Sequence, residues 1–170
     1  MKKSLLLGSM LFAMTSLLKA QLVTEGFETG FVEYQNANGN TNNFFRDSVI
    51  FKSGTKSAHD TYTANSLDTL FQTNVVDLTT TATPQLIFWQ ICKLEGGYDD
   101  GIIYISTDSG LTYTAIPPAS YLGASTGTDG YATAGHFDED SYSLWGTTSV
   151  PAQNTWWKKE AFDLSAYTAF

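Results

Sequence analysis

QLIFWQICKL, residues Gln85–Leu94, is the stretch whose reading decides the fold class. Drawn as a strand, it puts Leu86, Phe88, Cys92 and Leu94 on one face and Ile87, Trp89 and Ile91 on the other. Strand side chains alternate with period two. A run apolar on both faces therefore predicts a central strand, with a core above it and a covered layer below. The loop EGGYDDG (95–101) follows, and IIYIS (102–106) returns as the expected neighbour. STDSG (106–110) then turns the chain into LTYTAI (111–116), completing a three-strand meander.

Outward from this block the same texture continues. Short apolar runs at Ser48–Lys52, Leu67–Phe71 and Trp156–Leu164 join Gln85–Leu94, Gly101–Thr107 and Leu111–Ile116 as expected strands. Gly, Asn, Asp, Ser and Thr clusters separate them, notably Asn36–Asn43, Ser53–Thr55, Thr79–Pro84 and Ser120–Gly135. After the first twenty residues no window keeps an apolar i, i+3, i+4, i+7 stripe. The chain is rich in the aromatics that suit strands, with 11 Phe, 9 Tyr and 4 Trp against 9 Lys plus Arg. Six or more short strands without helices between them predict an all-β fold, an antiparallel sandwich or barrel.

The beginning of the chain reads differently. Residues 1–20 (MKKSLLLGSMLFAMTSLLKA) carry Lys2 and Lys3, an apolar run from Leu5 to Leu18, then Lys19 and Ala20. That order predicts a secretory signal peptide cleaved after Ala20, and the apolar run is too short for a membrane span. The expected mature chain, residues 21–170, is one domain's worth and is secreted or held at the cell surface. Losing three lysines leaves it six basic residues against 17 acidic ones, a net charge of −11. Such a surface repels phosphate backbones and anionic lipid, which argues against nucleic-acid partners and membrane insertion. It suits divalent cations or simple solubility.

Catalytic patterns are sparse. The two histidines, His59 and His136, lie on opposite sides of the central run, with no H-E-x-x-H, no G-x-S-x-G and no Gly-rich phosphate loop. The lone Cys92 allows no internal disulfide and reads as a small buried hydrophobe. Ser106, Asp108, Gly110 and Tyr113, with Thr112, match the S-x-D-x-G-x-T-aromatic pattern of an Asp-box. Its logic is local: the Asp accepts backbone N–H groups across a turn, Gly takes positive φ, and the aromatic folds onto the hairpin. Sialidases carry several such boxes and a cluster of arginines. Here there is one box and one arginine, Arg46, so the motif reads as a structural turn.

Acidic loops offer oxygens to a hard cation at Glu25–Glu28, Glu95–Asp100 and Phe162–Ser165, although each alone reads as a solvated turn. Asp138-Glu139-Asp140 is a fourth cluster, whose like-charge crowding a cation would relieve. The stretch Ser120–Asn154 is long and rich in aromatics. Tyr131, His136, Tyr142 and Trp145 within it are candidates for stacking on and bonding to a ligand such as a sugar ring. The competing reading packs these aromatics over the end of the sandwich.

Three stretches carry a family resemblance: Gly26-Phe27-Glu28, LIFWQICKLEGGYDDGIIYISTDSGLTYTAI (86–116) and TWWKKEAFDLSAY (155–167). Together they resemble the jelly-roll, galactose-binding or MAM-like accessory domains of secreted Bacteroidota proteins, including those beside immune inhibitor A-type metallopeptidases. The resemblance implies a non-catalytic β-sandwich with a structural Ca²⁺ near the chain ends. On this sequence it implies Glu28, Glu95, Asp99 and Asp163 as the ligands. The family pattern continues into a further strand after DLSAY, where this chain reaches Phe170. The expectation is therefore the N-terminal part of a longer protein. The function expected is adhesion, or binding of an extracellular glycan or protein. The alternative is the accessory domain of a secreted hydrolase, a metallopeptidase, whose catalytic domain lies outside this chain.

Overall fold

The computed structural model describes residues 22–61, 63–125 and 128–169; the expected signal peptide lies outside them. Eight short strands run in chain order: β1 (Tyr34–Asn36), β2 (Phe45–Asp47), β3 (Ser57–His59), β4 (Leu70–Gln72), β5 (Gln85–Gln90), β6 (Tyr104–Ile105), β7 (Thr114–Ala115) and β8 (Lys158–Asp163). They pair antiparallel as β1–β4, β2–β3, β5–β8 and β6–β7. The one α-helix among the described residues, α1, spans Tyr131–Ala134, and three single 3₁₀ turns lie elsewhere. The protein is all-β.

The decisive stretch forms β5, but its partner is not the one expected. β5 pairs over its full length with β8, from Gln85 opposite Asp163 to Gln90 opposite Lys158. The chain after Gln90 leaves the ladder. In the loop that follows, the N–H groups of Tyr98 and Asp99 donate to the Glu95 carbonyl, and Gly101 bridges to Phe137 instead. The three-strand meander is thus reduced to the hairpin β6–β7. Nor is β5 covered on both faces: Ile87 and Trp89 are 49% and 45% exposed, and the Lys52 ammonium rests 4.2 Å from the Trp89 ring centroid. Ser48–Lys52, expected as a strand, is a bend that follows β2.

The inward face of the β5–β8 ladder builds the core. Phe88 and Phe162 stack in parallel with centroids 6.2 Å apart. Phe162 meets Tyr131 edge-on at 4.8 Å, and Tyr131 packs on Phe137 at 4.7 Å. Ile116 completes this buried group, with Leu86, Ile103, Ile105, Tyr121 and Leu164 packed around it. Strands of two to six residues cannot supply such a core alone. The long stretch after β7 supplies the rest: Tyr121, Tyr131 and Phe137 fold back over the ladder, and Leu122 N–H donates to Ala161 O at 2.8 Å.

Candidate functional sites

The expected ligand-binding aromatics belong to the core. Tyr131 is fully buried, and its hydroxyl donates to the Ile116 carbonyl at 2.8 Å. Trp145 is fully buried as well, its indole N–H donating to Trp156 O at 2.9 Å. Tyr142 packs edge-on against Trp145 at 4.7 Å, and its hydroxyl donates to Glu160. Neither Tyr131 nor Trp145 keeps a ring face for a sugar, which corrects the stacking surface expected from the sequence. Aromatic spacing alone could not reveal that this loop closes the core.

Glu160 explains part of that inward turn. It is a fully buried carboxylate on β8, and an ionised carboxylate away from water needs donors. It receives the hydroxyls of Tyr121 and Tyr142 and, at 3.4 Å, the Gln90 amide. Burial, with Glu160 beside it, pushes the Tyr121 hydroxyl up to about 12. Tyr142 is likewise raised, burial again being the main cause. Both phenols thus remain protonated donors at neutral pH. Burial also pushes the Cys92 thiol up to about 12, which removes it as a nucleophile.

The four calcium ligands expected from the family resemblance do not gather. Glu28 is spent on a turn, accepting from the N–H groups of Thr55 and Lys56 and from the Thr55 hydroxyl. Those bonds, the Thr55 N–H foremost, hold its carboxyl below the usual range. Asp163 accepts from Ser165 N–H and hydroxyl in the same manner. Glu95 and Asp99 share the loop after β5, where the Glu95 carbonyl forms the turn. Among the described residues no group of three or more His, Cys, Asp or Glu side chains stands ready to hold a metal ion.

Ser106, Asp108, Gly110 and Tyr113 build the turn between β6 and β7. Asp108 accepts from Thr112 N–H at 2.9 Å and from the Thr112 and Ser106 hydroxyls, while Gly110 N–H donates to Ser106 Oγ at 2.8 Å. Gly110 has φ of +86°, and a Cβ there would stand 3.1 Å from the Tyr113 hydroxyl. Only glycine meets both demands without strain.

Two further places bring polar side chains together. The first is a cleft of about 510 Å³ between the β2–β3 hairpin and the loop before β8. Phe45 and His59 face each other in register across the hairpin, their rings stacked at 5.0 Å. His59 Nδ1 lies 3.0 Å from Asp47 Oδ2. Burial works against the Asp47 charge, yet the Val49 N–H and His59 together hold its carboxyl below the ordinary value. Val49, Ile50, Val150 and Pro151 form apolar walls. Asn154 pins the two sides together, accepting from Phe51 N–H at 2.7 Å and donating to Val49 O at 3.0 Å. Lys93 lines the cleft with its stem, because its ammonium is committed to the carbonyls of Trp145, Gly146 and Thr147. The sequence reading missed this cleft because it took Ser48–Lys52 for a strand. The signal for it was the pair of polar-apolar triplets, FRD and SAH, flanking the turn at Gly54.

The second place lies beside the loop 95–100. Gly101 and Phe137 exchange backbone hydrogen bonds of 2.8 and 2.9 Å, and Glu139 N–H donates to Leu94 O at 2.9 Å. These bonds clamp the loop to the segment 136–140, where His136 Nε2 lies 3.4 Å from Asp100 Oδ1 and 3.8 Å from Asp138 Oδ2. Of the expected ligand-binding residues, His136 and Tyr142 are partly exposed, while Tyr131 and Trp145 are buried. Compared with protein-family models, with curated proteins and with solved structures, the chain matches none.

Proposed function

We propose that this chain is an exported, non-catalytic β-sandwich module of jelly-roll type that binds an extracellular glycan or protein through the Phe45–His59 cleft. The observation that carries the reading is the cleft itself. Its volume of about 510 Å³ falls within the range of roughly 300–1,000 Å³ usual for ligand sites. It combines apolar walls and a half-exposed aromatic ring with one polar pair, the mixture that gives both affinity and orientation. Export rests on the order of residues in the first twenty positions. The two-layer arrangement is supported by the packing of Ile103 and Ile105, from the β6–β7 hairpin and its approach, against the inward face of β5–β8.

In the cleft, Asp47 fixes the orientation of the His59 ring, and that ring in turn backs Phe45. A ligand laid along the walls would meet the Phe45 face and the outer nitrogen of His59. The test is retention on arrays of extracellular glycans and matrix proteins. The parent protein is expected to be retained by at least one class. Phe45→Ala should weaken that retention at least tenfold, while Trp89→Ala, outside the cleft's lining on β5, leaves it unchanged. Equal retention of the parent and Phe45→Ala overturns the assignment.

A further inference from the structure

One edge of β5 carries unpaired backbone. In an antiparallel pair, alternate residues turn their N–H and C=O groups toward the partner strand, and the residues between turn them away. Leu164 N–H donates to Pro84 O at 3.0 Å, which makes these two a hydrogen-bonded pair and fixes the phase of the ladder. Leu86, Phe88 and Gln90 therefore bond to β8, and Gln85, Ile87 and Trp89 turn their backbone groups the other way. The far side of β8 agrees, because Ala161, opposite Ile87, accepts from Leu122 N–H at 2.8 Å. β8 is thus met on both edges and β5 on one. Among the described residues no backbone group of Gln85, Ile87 or Trp89 finds a hydrogen-bond partner on that free edge.

Such an edge is a template for another strand, and proteins guard it with charge, proline or a cover. β5 reads QLIFWQ and holds neither a charged residue nor a proline. The outer face beside the edge has a definite chemistry. Ile87 and Trp89 are half exposed there. Lys159 stands opposite Trp89 in a non-hydrogen-bonded pair, the kind that brings side chains closest, and the Lys52 ammonium rests on the Trp89 ring. Both lysines are exposed. Among the described residues neither ammonium is paired with a carboxylate, although the chain carries 17 acidic residues.

We propose that the free edge of β5 receives an extended, acidic segment of another polypeptide as an added strand. The unpaired groups of Gln85, Ile87 and Trp89 form the new ladder, and Lys52 and Lys159 bond carboxylates that alternate along the incoming strand. Period two puts those carboxylates together on the outer face. The residues between them lie on the inner side, beside Leu86 and Phe88, where apolar side chains fit. Charge sets the choice of partner. A second copy paired edge to edge would bring the same lysines to both sides of the seam, whereas an acidic segment meets them with the opposite sign. Neither these lysines nor Ile87 and Trp89 line the Phe45–His59 cleft, so the two surfaces are tested independently.

The probe is a blocked peptide of about eight residues that alternates valine with glutamate, titrated into the full chain while amide hydrogen exchange is followed. Exchange at Ile87 and Trp89 should be fast in the free protein and slow by about tenfold or more with saturating peptide. Three changes should each weaken binding by about tenfold or more: glutamine for glutamate in the peptide, N-methylation of its alternate amides, and Lys52→Gln combined with Lys159→Gln in the protein. Lys158→Gln removes the same charge beside Tyr142 on the inner face and should keep the affinity within about twofold. The assignment is overturned if the parent binds no peptide, or if the glutamine or N-methylated peptide binds as tightly. It is overturned equally if Ile87 and Trp89 are already protected in the free protein, and protection that grows with protein concentration gives the edge to a second copy instead.

Discussion

At the scale of single residues, the Asp108 carboxylate ties its own turn together by accepting from the Thr112 N–H and the Ser106 hydroxyl. Asp108 serves residues 106–112, so pattern and chemistry coincide in one short segment. Its carboxyl is held down to about 2, first by the Thr112 hydroxyl, then by the Thr112 N–H and the Ser106 hydroxyl. The folded value lies below the unfolded carboxylate value of about 3.9. Its contribution to stability is therefore complete above about pH 4 and vanishes as the pH falls through about 2. Asp108→Asn should lower Tm at pH 7, and the gap to the parent should close by pH 2. A gap that stays constant across that range contradicts the assignment. Tyr131 and Trp145 are the opposite case. Nothing in their local sequence separates an aromatic that caps a core from one that stacks on a ligand. Their burial follows from partners such as Ile116 and Trp156, set by the fold.

At the scale of elements, period-two alternation located β5 and β8 but said nothing of their pairing. A strand pair separated by about seventy residues leaves no local trace, whereas the β6–β7 hairpin is written into its turn residues. The expected meander failed for that reason. The apolar residues of the outer face misled in a related way. Ile87 and Trp89 look like a second core face, yet they meet mainly solvent and Lys52. The two faces should therefore differ in energy. Phe162→Ala removes the ring at the centre of the inner aromatic cluster and should cost about 3–5 kcal/mol. Trp89→Ala on the outer face should cost about 1 kcal/mol or less. Urea unfolding of both variants decides it, and similar losses would contradict a one-sided core.

At the scale of the whole molecule, the acid excess is divided among particular loops. Two of the acids that the family resemblance singled out, Glu28 and Asp163, are occupied as turn caps. Among the described residues, buried carboxylate oxygens without a hydrogen-bond partner lie instead at Asp60, Asp68, Asp138 and Glu139, the last two in the cluster Asp138-Glu139-Asp140 whose crowding was visible in the sequence. The binding cleft depends on a hairpin and a loop that meet only through the fold, at Asn154. With just two histidines, one in the cleft and one beside the acids, a single spectrum can follow both places. The decisive measurement is the carbon–proton correlation spectrum of the histidine rings, recorded with and without the retained glycan or protein. The ligand should shift the His59 signal and leave His136 in place. A ligand that moves His136 alone, or that leaves His59 unmoved while binding, would contradict the cleft as the site of recognition.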